Sequence, residues 1–362
     1  MRIAFLDSWL QDAASGSGTA VAIGGLARSL IERGHQVERL APLGRWPRNL
    51  LLRRLWFNVT LPRRLARDHY DLCVGFDIDG VRVSGALGQS YVCSIKGVLA
   101  EESRCERGWP RLMLWTLSRL ERLNARRAPL VLSTSRYCCE RIQAHYGVPA
   151  ERLALVPEGI DLHLWSPIGD AAALAAADAR REPCTVLCVA RQYPRKRVID
   201  VIAAFPQVLA QRAEARLVVI GDGPEHGALC RQVEDLGIGA SVQLLGALAS
   251  DQEVRAWYQR ASIFCLPSIQ EGFGIVFLEA MASGLPVVST TATAIPEVVP
   301  HGQAGLLVPP RDPAALAEAM LTLLGDTALR DRCRQFGREH ARLYSWEQVA
   351  SMFLKAVERL RS

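Results

Sequence analysis

The sequence predicts an α/β protein made of two doubly wound parallel-sheet domains in tandem, and three observations carry that expectation. Its 362 residues are about twice an ordinary domain, and 49% of them are apolar, enough for two cores. Short apolar runs alternate with helix-length amphipathic stretches along nearly the whole chain. The alternation breaks near Trp165-Ser166-Pro167, passes through the Ala/Asp-rich stretch AAALAAADARREP, and then starts again.

The opening RIAFLD has the composition of a short buried strand. A Gly/Ser loop follows at Ser15, Gly16, Ser17 and Gly18, then the helical pattern AVAIGGLARSLIERG, which Gly34 closes before the strand-like HQVERLAP. Strand, glycine loop, helix and strand make a Rossmann-like opening. YDLCVGF, SYVCSI, LVLSTS and LALVPEG supply further strands. After the break come TVLCVAR, ARLVVIGDGP, SVQLLGAL, SIFCLPS, LPVVST and AGLLVPP, separated by helical stretches. The final helix, SWEQVASMFLKAVERL, is expected to return to the first domain. The expected organisation is therefore a first domain over residues 1–165, a second over 166–345, and a returning helix over 346–362.

Composition narrows the function. The net charge of +6 lies in the first half, and no nucleic-acid-binding motif accompanies it. The opening apolar run is short and meets Asp7 at once, so no signal peptide is expected, and no run approaches the roughly 20 apolar residues of a membrane span. A cytoplasmic location follows as an expectation. The ten cysteines are scattered, with no C-x-x-C pair, and several sit in apolar strands as small hydrophobes. Neither disulfides nor a structural metal are expected.

The segment CLPSIQEGFGIVFLEAMASGLPVVST is the most informative. A strand ends in a polar loop, and Glu271-Gly272-Phe273-Gly274 leads into a helix that carries Glu279. A glycine-flanked helix start offers backbone amides to an anion, while the two carboxylates suit paired hydroxyls. Arg191 and Lys196 follow the first strand of the same half, and two fixed cations can neutralise a diphosphate without a metal.

EGFGIVFLEAMASGLPVV, VARQYPRKR, VVIGDGP, IPEVVPHGQAGLLVPP and SGSGTAVAIGGLARSLIERGHQV together resemble the retaining glycosyltransferases of family 4, whose fold is GT-B: two Rossmann-like domains facing across a cleft. The likeness is strong over 185–310 and thin over 40–150. It implies a metal-independent hexosyltransferase that needs no cofactor beyond a nucleotide-diphosphate sugar as co-substrate. By the same resemblance, Arg191 and Lys196 hold the donor diphosphate, Glu279 binds ribose hydroxyls, and Glu271 binds hydroxyls of the transferred sugar. Amides near Gly272, Phe273, Gly274 and Ile275 meet phosphate or sugar, and Gly16 and Gly18 let the N-terminal loop approach them. The acceptor is expected to be a saccharide or glycolipid of bacterial cell-surface glycan or lipopolysaccharide synthesis. Two positions depart from the pattern. Lys96 stands where the family usually has a histidine near the transferred sugar, which makes it a candidate sugar or acceptor contact. Arg197 stands where a glycine is frequent after the lysine.

Asp77 and Asp79 form an Asp-x-Asp, expected in a loop or acceptor-side role rather than at a metal. Gly221, Asp222 and Gly223 are expected to serve a turn, and His226 is a weaker donor-side candidate. Glu297 is read as a loop or capping residue. Residues 45–67 carry seven arginines and no acid, interleaved with Trp46, Leu55, Trp56 and Phe57, and 107–127 repeats the theme. Such segments suit peripheral contact with an anionic membrane, at the inner face of the cytoplasmic membrane. Three rivals remain: a nucleotide-sugar epimerase or hydrolase of the same fold; an NAD-dependent oxidoreductase, for which the N-terminal glycines fail G-x-G-x-x-G spacing; and a non-catalytic membrane-associated binding protein.

Overall fold

A computed structural model describes residues 1–9, 18–42, 50–166 and 171–360. The chain divides into two compact units: Met1–Gly159 together with Trp346–Ser362, and Ile160–Ser345.

The first unit contains a six-stranded sheet of β1 (Arg2–Leu6), β2 (Gln36–Leu40), β3 (Leu72–Phe76), β4 (Tyr91–Ile95), β5 (Leu130–Ser133) and β6 (Leu153–Leu155). Their order is β2-β1-β3-β4-β5-β6, and every pair is parallel. The central strands β3 and β4 are buried along their whole length, as strands covered by helices on both faces must be. The crossovers are α1 (Gly18–Glu32), α2 (Leu50–Leu65), the single turn α3 (Ser84–Leu87), α4 (Leu99–Cys105), α5 (Gly108–Arg127) and α6 (Arg136–Tyr146). The Ser135 hydroxyl caps α6 by accepting from the Cys138 amide, and Gly147 closes it in the left-handed region at φ 66°.

The second unit opens with α7 (Leu162–Trp165) and α8 (Ala171–Ala179) and repeats the architecture. Its strands are β7 (Thr185–Val189), β8 (Arg216–Ile220), β9 (Val242–Gly246), β10 (Ile263–Cys265), β11 (Val287–Thr290) and β12 (Gly305–Val308). They pair in the order β12-β11-β10-β7-β8-β9, again all parallel. The helices are α9 (Val198–Gln211), α10 (His226–Asp235), α11 (Asp251–Arg260), α12 (Ile275–Ala282), α13 (Ile295–Val298), α14 (Pro313–Gly325) and α15 (Thr327–Arg342). Asp178 on α8 pairs with Arg181 of the same stretch and with Arg334 and Arg338 on α15, tying the start of this unit to its end.

The last helix, α16 (Trp346–Glu358), belongs to the first unit. Its apolar stripe of Val349, Ala350, Phe353, Ala356 and Val357 is buried, and Phe353 meets Phe5 of β1 edge to face at 6.5 Å. Glycine is required where this helix begins: a Cβ at Gly25 would lie 2.1 Å from the Trp346 ring, and one at Gly159 would lie 2.4 Å from it.

Each sheet has a point where the chain, having built outward in one direction, returns to build in the other. In the first it lies between β1 and β3, and in the second between β7 and β10. Open parallel sheets bind ligands at the carboxyl ends of the strands at such points.

Candidate functional site

In the second unit the loops after β7 and β10 carry the predicted donor residues, and they adjoin because the two strands pair. The Ile269 amide donates to the Arg195 carbonyl at 2.9 Å, which joins the loops directly. Arg191 stands two residues past β7, exposed. Lys196 closes a 3-10 turn, Pro194–Lys196, and its Nζ donates to Glu271 Oε1 at 2.6 Å across 75 residues of sequence. Both side chains are mostly enclosed, at 16% and 8% exposure. Thus Lys196 and Glu271 are brought together, while Arg191 has no ion-pair partner among the described residues.

Glu271 is held by its backbone, whose amide donates to Thr293 Oγ1 at 3.0 Å. Three residues on, Gly274 starts α12 with φ 92°, where an added Cβ would also lie 2.6 Å from the Phe277 ring. The first amides of α12 therefore open on the edge where Glu271 lies. Gly272 and Ile275 are partly exposed in this turn, and Phe273 is buried against Tyr344 with ring centroids 5.6 Å apart.

Glu279, one turn into α12, receives the Tyr258 hydroxyl at 3.1 Å. Tyr258 is itself fully buried, stacked on Phe264 and edge-on to Trp165. Burial pushes the Glu279 carboxyl up to about 7; the Tyr258 hydrogen bond acts in the opposite direction but does not cancel it.

The position after Lys196 shows how the chain manages without the frequent glycine. Arg197 adopts the left-handed conformation at φ 54° and forms a two-pronged pair with Asp200, Nε to Oδ2 at 2.8 Å and Nη2 to Oδ1 at 2.5 Å. The side chain thus supplies a local hydrogen-bonded pair where the backbone is strained.

A residue that sequence inspection passed over organises this edge. Gln192 is buried; its amide donates to the Asp222 carbonyl at 3.0 Å, its Nε2 to the Gly221 carbonyl at 2.6 Å, and its carbonyl receives the Glu225 amide at 3.1 Å. Its Oε1 also sits 2.8 Å from His226 Nδ1, so His226 faces Gln192. Gly221, at φ 121°, has no room for a side chain, since a Cβ would lie 2.0 Å from the Ala190 carbonyl. The Gly-Asp-Gly turn is shaped by its contact with the β7 loop. Glu297 lies in the first turn of the short α13.

The carboxyl edge of the first sheet carries a second polar constellation. Asp79 Oδ2 accepts from the Ser8 amide at 2.9 Å and the Ser8 hydroxyl at 2.7 Å, and Asp79 Oδ1 accepts from Asn58 Nδ2 at 3.1 Å. Asp77 accepts from the Lys96 amide at 2.9 Å and the Trp9 indole at 3.1 Å. Arg54 reaches both carboxylates, at 3.8 Å and 3.7 Å, and stacks over Trp9. Burial pushes Asp77 up to about 6 against the pull of Arg54, and raises Asp79 in the same way. The Asp-x-Asp is therefore a tie between β1, β3, β4 and α2. No group of three His, Cys, Asp or Glu suited to a metal occurs among the described residues.

Lys96 is not a free cation. Its Nζ lies 3.1 Å from each carboxylate oxygen of Glu158, both side chains being 9% exposed. Arg54 also departs from expectation. In an arginine-rich segment read as facing water or lipid, it points inward and is 3% exposed, because the two buried aspartates demand a counter-charge. Arg54, Asn58 and Glu158 escaped notice because nothing in their local sequence marks them; only the fold gives them partners. Gly18 begins α1 in an exposed position, and Gly16 lies outside the described residues.

Among the described residues, no helix is long and apolar enough to cross a membrane.

The model of Glycosyltransferase Family 4 matches residues 16–164, and that of Glycosyl transferases group 1 matches 183–326. The chain belongs to the family 4, group 1 glycosyltransferases. It is 34% identical over 250 residues to a GDP-mannose-dependent alpha-(1-6)-phosphatidylinositol monomannoside mannosyltransferase of Mycobacterium tuberculosis, a match covering 66% of this chain and 63% of that protein. Two solved structures confirm the GT-B fold. WaaG, a glycosyltransferase involved in lipopolysaccharide biosynthesis, superposes with a TM-score of 0.76 at 20% identity over 99% of each chain. HepE of Anabaena in complex with UDP gives 0.73 at 21% identity, covering 99% of this chain and all of that one.

Proposed function

We propose that this protein is a retaining, metal-independent hexosyltransferase that takes a sugar from a nucleotide diphosphate to a saccharide or glycolipid acceptor, in bacterial cell-surface glycan or lipopolysaccharide synthesis. The observation that carries this reading is the Lys196–Glu271 contact at the β7/β10 junction, with exposed Arg191 beside it on the same loop. A cation already in place, together with an uncommitted guanidinium, suits a diphosphate; both stabilise the charge that grows as the diphosphate leaves. Glu271 then receives hydroxyls of the transferred sugar, and Glu279 those of the ribose. Amides of Gly272, Phe273, Gly274 and Ile275 line the phosphate side, and Gly16 and Gly18 stay donor-contact candidates by the family resemblance.

The first unit supplies the acceptor side, with Lys96 as a contact, and a face for the membrane. On α5, Trp109 is 70% exposed and Leu112 and Trp115 about half exposed, with Arg111 and Arg119 beside them. On α2, Leu55 and Val59 are exposed on the side away from buried Arg54, Phe57, Asn58 and Leu61. Both helices contribute to one small apolar cluster through Leu51, Met113, Leu114 and Leu117. Exposed aromatics among arginines suit an anionic bilayer, which supports the reading of peripheral contact at the inner face of the cytoplasmic membrane.

The test is a panel of nucleotide-diphosphate sugars in EDTA, read as stabilisation against heat, with Lys196→Ala and Glu279→Ala as controls. One sugar nucleotide should stabilise the wild type and lose its effect in both folded variants. Equal responses from variants and wild type would show the donor site to be elsewhere. Product analysis then separates transfer, which consumes an acceptor, from epimerisation or hydrolysis, which do not.

A further inference from the structure

We propose that Glu158 determines acceptor chemistry: by cancelling the charge of Lys96, it makes the carboxyl edge of the first sheet a site for an uncharged hydroxyl-bearing group, a sugar ring or another polyol, and turns phosphate and carboxylate away. This rests on the reading of the chain as a transferase to a hydroxyl acceptor, and it specifies what that acceptor presents here.

Lys96 directly follows β4, and Glu158 lies three residues past β6, so both stand at the strand ends where open parallel sheets take ligands. The Lys96 amide is fastened to Asp77, which keeps the residue in its place, and Nζ reaches both oxygens of Glu158 at 3.1 Å. An ammonium has three N–H donors; two are aimed at the carboxylate, and the Phe76 ring centroid lies 5.8 Å away. A hydroxyl can join this pair without breaking it, accepting from the third N–H while donating to a remaining lone pair of Glu158.

An anion meets a different situation. With both side chains 9% exposed, drawing Lys96 away leaves the Glu158 carboxylate enclosed and uncompensated, and the anion itself approaches that carboxylate. Among the described residues, the other two cations of this network are already engaged. Arg39 is held by Asp7 at 2.5 Å, and Arg54 stands between Asp77 and Asp79. Among the described residues, four carboxyl groups thus face three cations in this network, whereas in the second unit Arg191 is exposed and has no ion-pair partner. Lys196 is paired with Glu271 much as Lys96 is with Glu158, so the two edges differ in the exposed Arg191 beside Lys196, a second cation where a diphosphate is expected, which the Lys96 pair lacks among the described residues.

The test uses inorganic phosphate as the probe, titrated into the full-length wild type, Glu158→Gln, Lys96→Met and the double variant, with binding read calorimetrically. Phosphate taken up by the donor loops is common to all four, so only the part that depends on Lys96 decides. Glu158→Gln should bind phosphate at least tenfold more tightly than the wild type, and the double variant should lose that gain. Lys96→Met alone should leave the wild-type affinity unchanged. A merely structural Glu158 would produce no gain that Lys96→Met removes. Weaker phosphate binding in Lys96→Met, or no gain in Glu158→Gln, overturns the proposal. Should Glu158→Gln not fold, Glu158→Ala takes its place: a gain in phosphate affinity that Lys96→Met removes supports the proposal, and no such gain overturns it. Nucleoside diphosphate binding in Lys196→Ala is read separately, so failure of the donor assignment is distinguishable from failure here.

Discussion

At the scale of single residues, the proposed role of Glu279 in ribose binding predicts a dependence on pH. Its carboxyl titrates near 7 in the folded protein, against about 4.5 in an unfolded chain, because burial penalises the charge. Between those values the folded state holds a proton that the unfolded state has released. The contribution to stability is therefore full below about 4.5 and is lost as pH rises to about 7. Asp77, pushed up to about 6 by burial, acts with the same sign. On the proposed role of Glu279, ribose hydroxyls donate to the ionised form, so nucleotide affinity should rise as pH passes through 7, and binding at pH 7 should release protons. Calorimetric titration in buffers of different ionisation heat checks both. Glu279→Gln should abolish the pH dependence and weaken binding by roughly 10- to 100-fold, since hydrogen bonds to a charged group are worth about 1.5–3 kcal/mol. An unchanged pH profile in that variant would assign the titration elsewhere.

The elements show how local pattern becomes architecture. Strands β3, β4, β7 and β10 are near-continuous apolar runs because helices cover both faces of each sheet, and this is why their positions were legible in sequence. Helix α16 is amphipathic, and its apolar stripe needs a core to enter. That core is the first unit's, under α1 and against Phe5. Phe353→Ala should cost about 3–5 kcal/mol, the usual penalty for emptying a fully buried aromatic site, measured by denaturant unfolding. A cost below about 1 kcal/mol would mean that α16 adds little to the first unit. Helix α2 was less legible: its arginines look alike in sequence, yet Arg54 is inward and paired while Arg63, about two and a half turns further along and so on the opposite face, is exposed. Helical periodicity identifies a face, but not the buried charge waiting beneath it.

For the whole molecule, charge is distributed unequally. The net +6 comes from the N-terminal half, and the exposed aromatics of α5 lie in the same unit. Sedimentation with vesicles containing phosphatidylglycerol should recover the protein, with far less recovery on pure phosphatidylcholine and progressive release as salt rises from 50 to 500 mM. Trp109→Ser with Trp115→Ser should weaken that binding about tenfold or more while leaving nucleotide binding intact. Binding insensitive to both salt and these substitutions would exclude α5 as the contact.

Sequence alone determined the α/β class, the repeated parallel-sheet plan and the family, because these depend on apolar periodicity and on short motifs whose residues are neighbours in the chain. It also singled out Lys196 and Glu271, since each follows an apolar run in a polar loop, that of Glu271 bearing two glycines. The tertiary structure decided the partnerships. Lys196 meets Glu271 across 75 residues, Lys96 meets Glu158 across 62, and Gln192 joins the β7 loop to the Gly221–Gly223 turn. A charge far away in sequence acquires its effect only when folding removes water from between it and its partner. The order in which parallel strands pair sets which strand ends become neighbours, and no single segment carries that order by itself.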